Sequence, residues 1–190
     1  MELSEIGEFG FIRRVSRGCL VRPEGVERAI GDDAAAFIVP PDEVTLLTTD
    51  LLVERVHFLR DATTPFNLGH KAMAVNLSDI AAMGGIPREA FVSTAIPAGC
   101  PVEYLDALYD GMKSLAARHG VNILGGDTTG SVVDLVLNVT VVGHVRRDEV
   151  LYRSGARPGD IVCLTGTVGD SRAGLHFVLE KLYPSDAAMR

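Results

Sequence analysis

Residues 65–84 read PFNLGHKAMAVNLSDIAAMG, and the fold hangs on how this stretch is placed. Leu68, Ala72, Val75, Asp79 and Ala82 recur at spacings of four, three, four and three, which puts them on one face of a helix. Four of the five are apolar, so the same periodicity predicts that the Asp79 carboxylate lies on the buried face. Burying a charge costs several kcal/mol unless a cation or hydrogen bonds compensate, so Asp79 calls for a partner.

Upstream of this helix, residues 35–39 and 44–53 are apolar runs rich in branched side chains, separated by Pro40-Pro41-Asp42. They read as two strands joined by a turn, the second carrying Thr48-Thr49-Asp50. Before them, Ser4 is a candidate N-cap for a first helix on which Ile6, Phe9, Ile12 and Val15 share a face, although Gly7 and Gly10 interrupt it. Downstream, residues 90–96 read as a strand. Pro101 then opens a helix with Leu105, Leu108, Met112 and Leu115 inward, ended by Gly120. A short strand over 121–124 runs into a loop, Gly125-Gly126-Asp127-Thr128-Thr129, and 133–145 gives a long strand. A polar Arg, Gly and Pro stretch follows, and 161–164 begins new structure. The order predicts an α+β fold, a mixed or antiparallel sheet covered by helices. Residues 1–147 are expected to form the first domain, and 148–190 the beginning of a second, truncated α+β domain.

Composition narrows the function. The chain has 190 residues, 47% of them hydrophobic and 23% charged, enough for an ordinary core. Its formal net charge is -7 and its basic residues reach no run longer than Arg13-Arg14 and Arg146-Arg147, which argues against nucleic-acid binding. Cys19, Cys100 and Cys163 have neither disulfide nor zinc spacing, which fits a reducing compartment. Glu2, Glu5 and Glu8 stand where a secretory signal would be basic, and no stretch approaches membrane-spanning length, so a cytoplasmic location is expected.

The chemistry is carried by aspartates at the ends of apolar elements: Asp32-Asp33 after Gly31, Asp50 after two threonines, Asp79, and Asp127 after two glycines. Turns and helix caps are the structural alternative for Asp after Gly. Converging carboxylates repel, by about 4 kcal/mol for a pair about 4 Å apart at an effective dielectric of about 20, and a divalent cation reverses the sign. Mg2+ takes oxygen ligands and bridges carboxylates to phosphates, so the set points to phosphoryl transfer by positioning and charge neutralisation, without a nucleophilic side chain. Gly125-Gly126 and residues 165–171, TGTVGDS, are glycine-containing loops suited to backbone contact with phosphate. Neither matches the Walker or the dinucleotide fingerprint.

Gly31-Asp32-Asp33-Ala34-Ala35, Thr48-Thr49-Asp50, residues 53–58 (VERVHF), residues 74–84 (AVNLSDIAAMG) and Gly125-Gly126-Asp127-Thr128-Thr129 resemble thiamine-monophosphate kinases in order and spacing. The resemblance continues through Arg153-Ser154-Gly155-Ala156 and 165–171. The wider superfamily includes the aminoimidazole ribonucleotide and selenophosphate synthetases. It implies an aminoimidazole ribonucleotide synthetase-like N-terminal domain, ATP as co-substrate, Mg2+, thiamine monophosphate as acceptor and a homodimer built on the first domain's sheet. By the same resemblance Asp33, Thr48, Thr49, Asp50, Asp79 and Asp127 hold Mg2+. Gly126, Asp127, Arg153 and Tyr109 contact ATP, and His57 contacts thiamine monophosphate. Lys71 is expected to be solvated. The family usually has glycine where this chain has Arg55, beside the substrate histidine. The alternative readings are a dimeric Mg-nucleotide-binding module without catalysis of its own, or another ATP-using synthetase of the superfamily.

Overall fold

The computed structural model describes residues 3–180. The chain divides into two compact units, Met1–Tyr152 and Arg153–Arg190.

In the first unit a helix α1 (Leu3–Val15) precedes a two-stranded antiparallel ribbon, β1 (Val26–Arg28) and β2 (Ala36–Phe37). Then come β3 (Glu43–Val53), α2 (Pro65–Ala82), β4 (Ile86–Pro97), α3 (Val102–Arg118), β5 (Asn122–Ser131) and β6 (Val136–Arg146). The four long strands form one mixed sheet in the order β3-β6-β4-β5, with β4 and β5 parallel and the other pairs antiparallel. The parallel pair requires a crossover, which α3 supplies. The α+β fold with helices on a mixed sheet is as the sequence predicts.

The alternation of β3 separates its two faces. Leu46 and Leu52 are buried with Thr48 and Asp50 between them, under α2, while Thr45, Leu47, Thr49 and Leu51 occupy the opposite, outer face. The core lies between the inner sheet face and the two helices. Leu105, Leu108, Met112 and Leu115 of α3 are all buried, as their spacing predicts. The helices cross with backbones almost touching. A Cβ on Gly69 would sit 1.8 Å from the Leu108 carbonyl oxygen, and one on Gly111 would sit 2.0 Å from that of Phe66.

Several expectations are corrected. The runs over 35–39 and 44–53 are not a hairpin, because β2 pairs with β1, a three-residue strand too short and too exposed to leave a periodic signal. Ser4 lies inside α1, which is broken at Gly7 (φ 63°, ψ 173°) and re-aimed there. The buried residues of α1 are consequently Phe11 and Val15, and Phe9 is exposed. The strand predicted over 121–124 extends to Ser131, so Gly125 to Thr129 are strand rather than loop.

The buried face of α2 is Leu68, Gly69, Ala72, Met73, Asn76, Leu77 and Ile80. At about 100° per residue this arc is centred roughly a quarter turn from the predicted stripe, and Asp79 falls on its exposed rim. The polar group buried on this helix is instead Asn76, whose Nδ2 donates to the Ala72 carbonyl at 3.1 Å.

In the second unit, α4 (Asp170–Glu180) starts within the 165–171 stretch, where the Thr167 hydroxyl donates to Asp170 Oδ2 at 3.3 Å. Residues 161–164 are neither strand nor helix, and Ile161, Val162 and Leu164 are exposed.

Candidate functional site

Three local structures carry the candidate residues of the first unit. The first is a cleft of about 930 Å³ along the β5 edge of the sheet. The β1–β2 loop lines it with Gly31, Asp32 and Asp33, β5 with Gly125, Gly126 and Asp127, and α1 and α3 complete the wall and floor. Gly126 is required there by the strand itself. Its φ is 145°, and a Cβ would lie 1.7 Å from the Val92 carbonyl oxygen of the parallel neighbour, so any side chain would push β5 off β4. Tyr109 forms part of the floor. It is only 5% exposed, its ring meets Phe11 edge-on at 5.8 Å, and burial pushes its phenol up to about 12.

The second structure lies where β3 passes under α2. The Thr48 hydroxyl donates to Asp79 Oδ2 at 2.7 Å, and Asp50 shares the Thr48 face two residues along. Thr49 points the other way, into a polar cluster on the outer face. The Thr140 hydroxyl donates to Thr49 Oγ1 at 2.9 Å, and Asn138 Nδ2 donates to the same oxygen at 3.0 Å.

The third is the turn after β3. Glu54 is buried. Its carboxylate accepts from Arg60 Nε at 2.7 Å and from the Leu135 backbone N–H at 2.9 Å, tying the turn to the start of β6. Neither contact follows from a periodic pattern, because Arg60 lies across an irregular turn and Leu135 is remote in sequence. Arg55 adopts φ 64°, the left-handed region, and its guanidinium pairs with Asp134 at 2.8 Å. The Val53 N–H donates to His57 Nδ1 at 3.0 Å, which fixes the neutral tautomer with the proton on Nε2. Lys71, expected to be solvated, donates from Nζ to the His57 carbonyl at 2.8 Å and helps hold this turn.

The chain therefore assembles its candidate residues in separate groups. Asp33, Gly126, Asp127 and Tyr109 share the cleft, whereas Thr48, Asp50 and Asp79 lie at β3. Strands β3 and β5 are the two edges of the sheet, three strand spacings or about 14 Å apart. Among the described residues no three His, Cys, Asp or Glu side chains come close enough to hold a metal ion. The donor chemistry nonetheless fits Mg2+. The candidates are carboxylates and hydroxyls, and the Asp33, Asp50 and Asp127 carboxylates have no side-chain partner among the described residues. Arg153 is exposed in the second unit.

Comparison with known proteins places these features in a family. The AIR synthase related protein, N-terminal domain, matches residues 31–145. The chain is 40% identical over 169 residues to a thiamine-monophosphate kinase of Bacillus subtilis (strain 168), covering 89% of this chain and 52% of that protein. The crystal structure of thiamine-monophosphate kinase from Stenotrophomonas maltophilia K279a superposes with a TM-score of 0.81 at 35% identity, over 95% of this chain and 55% of that one. The structure described as AaThiL complexed with AMPPCP and TMP gives a TM-score of 0.72 at 35% identity, over 98% and 57%. The chain spans about half the length of the curated relatives it matches. The resemblance read from the motifs is thus borne out in sequence and in fold. The chain belongs to the AIR synthase related protein family and carries its N-terminal domain over residues 31–145.

Proposed function

We propose that this chain serves an ATP-dependent kinase that phosphorylates thiamine monophosphate to thiamine diphosphate by direct transfer. The observation that carries this reading is the cleft, in which Asp33 and Asp127, both without side-chain partners among the described residues, stand beside Gly126, where β5 passes tightly against β4. Its volume suits a nucleotide. The likeness to thiamine-monophosphate kinases, one of them described in complex with AMPPCP and TMP, supports the choice of substrates.

Asp33, Thr48, Thr49, Asp50, Asp79 and Asp127 are the proposed Mg2+ ligands. When bound, Mg2+ would supply neutralisation of phosphate charge. The chain's own part is positioning. Thr48 orients Asp79, Gly126 is proposed to contact ATP from the β5 strand in the cleft, and His57 offers its Nε2 proton to the acceptor phosphate. Arg153 of the second unit is proposed to meet ATP through its guanidinium, whose donors match phosphate oxygens. Buried Tyr109 shapes the floor beneath the nucleotide.

Because β3 and β5 are opposite edges, the ligand set is completed by a second copy packed on the outer face of the sheet. The exposed Leu47 and Leu51 on that face support such a homodimer, in which Thr49 also becomes available to the site. Residues 1–147 are the proposed metal- and ATP-binding and dimerising domain and 148–190 the beginning of a second, in a cytoplasmic enzyme.

The test is incubation of the chain with Mg-ATP and thiamine monophosphate, reading thiamine diphosphate. Turnover that disappears in Asp127→Asn supports the reading, and phosphorylation of a different acceptor in preference to thiamine monophosphate overturns it. A second reading, a Mg-nucleotide-binding dimer without catalysis of its own, is favoured by the exposed Ile161, Val162 and Leu164 of the second unit. Nucleotide-induced thermal stabilisation without diphosphate product would select it.

A further inference from the structure

One wall of the cleft is formed by α1. The break at Gly7 re-aims α1 so that Phe11 and Val15 pack inward, Phe11 against Tyr109. Phe9 and Arg13, four residues apart and so on one side of the helix, both line the cleft. Phe9 is 75% exposed, whereas Phe11 two positions on is 0% exposed, so the helix leaves one of its two phenyl rings uncovered. Among the described lining residues Arg13 is the only Lys or Arg, against Glu8, Asp32, Asp33 and Asp127. Its guanidinium has no ion pair or hydrogen bond among the described residues, while adjacent Arg14 is clamped by Asp106 at 2.5 to 2.7 Å.

The lining is divided in character. Phe9, Ile12, Val15, Ile30 and Phe91 make an apolar part, and the glycines and carboxylates make a polar one. Such a cleft suits a ligand with a flat apolar end and a polyanionic end. A purine triphosphate has both, and an exposed aromatic ring at the apolar end offers a stacking surface for the base.

We propose that α1 is a nucleotide-binding element, in which Phe9 stacks on the purine base and Arg13 contacts the phosphates. The inference rests on the reading that this cleft takes ATP. It adds two contact residues outside the aspartate and glycine motifs and accounts for the kink that presents them.

The experiment measures affinity of the whole chain for Mg-ATP and, separately, for Mg-tripolyphosphate, which lacks the base. Phe9→Ala is expected to weaken Mg-ATP about tenfold and leave tripolyphosphate unchanged, with Phe9→Trp restoring ATP affinity. Arg13→Gln is expected to weaken both ligands alike. Phe9 is exposed, so its loss leaves the core intact, and an unchanged thermal midpoint of the free variant verifies this. Equal ATP affinity in wild type and Phe9→Ala, or a parallel loss of both ligands in that variant, overturns the stacking contact. An unchanged tripolyphosphate affinity in Arg13→Gln overturns the phosphate contact. Wild-type chain that binds Mg-ATP but does not phosphorylate thiamine monophosphate defeats the kinase reading and leaves this one standing, whereas wild type that binds no Mg-ATP defeats both.

Discussion

Thr48 Oγ1 donates to Asp79 Oδ2 at 2.7 Å, joining an edge strand to the helix that covers it through a carboxylate on the helix rim. Asp79 is thus held in one orientation without being buried, and its removal should cost little stability. We expect Asp79→Asn to keep the thermal midpoint of the free chain within about 2 °C, since rim substitutions rarely exceed about 0.5 kcal/mol. The same variant should lose the Mg2+-dependent part of the stabilisation by ATP. Thermal shift with ATP in Mg2+ and in EDTA measures both, and undiminished Mg2+ dependence would remove Asp79 from the ligand set.

Gly69 and Gly111 form a reciprocal contact, each facing the backbone of the other helix. A methyl group at either position forces α2 and α3 apart across the core, which typically costs 1–3 kcal/mol, and here roughly the upper end because backbone is struck. Gly69→Ala and Gly111→Ala should each lower the denaturant midpoint accordingly. The double variant should lose less than the sum, because one separation relieves both clashes.

Arg55 holds a left-handed backbone conformation that glycine adopts without penalty. Its pairing with Asp134 is exposed and offsets little of that strain. Arg55→Gly is expected to raise the thermal midpoint by about 2–4 °C. A fall in the midpoint would mean that the ion pair outweighs the backbone term.

His144 is buried, with Nδ1 3.5 Å from Glu43 Oε2 and no hydrogen-bond partner on Nε2 among the described residues. Burial lowers its pKa below the ordinary 6.5, outweighing the raising effect of Glu43. Between the folded value and 6.5 the unfolded chain therefore binds more protons, so stability is present above 6.5 and is lost as pH falls through that window. Melting curves from pH 8 to pH 5 should show a steeper acid-side loss for wild type than for His144→Gln. Parallel curves would assign the loss to other groups.

How far the sequence was legible differs from helix to helix. In α3 the apolar residues stand on one side against Glu103, Asp106, Asp110 and Lys113 on the other, so Leu105, Leu108, Met112 and Leu115 could be placed inward. In α2 apolar residues run almost all the way round, and Met73, Leu77 and Ile80 define a second stripe as good as the first. Periodicity cannot choose between them, and the first stripe puts Asp79 in the core when it lies on the rim. Gly125-Gly126 reads as a loop in the sequence because glycine marks turns. Here it marks instead the close passage of two parallel strands, a fact about Val92 that lies more than thirty residues away. The aspartates were recognisable as chemistry. Their division between two sheet edges follows from strand order, which local patterns do not encode. Phe9 and Arg13 were obscured by the Gly7 break, which rotates the helix away from the simple periodic reading.

The position of β6 has a consequence for biosynthesis. It is the last strand of the sheet to leave the ribosome, yet it lies between β3 and β4 and, among the described residues, is the only strand paired to β3. Until Arg146 emerges, β3 has no sheet partner, and β4 and β5 can form at most a two-stranded parallel ribbon. A nascent chain stalled in the β5–β6 loop would expose the full unpaired length of β3 and one edge of β4, a form for chaperones to shield. Release of the next fifteen residues would close the sheet in a single late event.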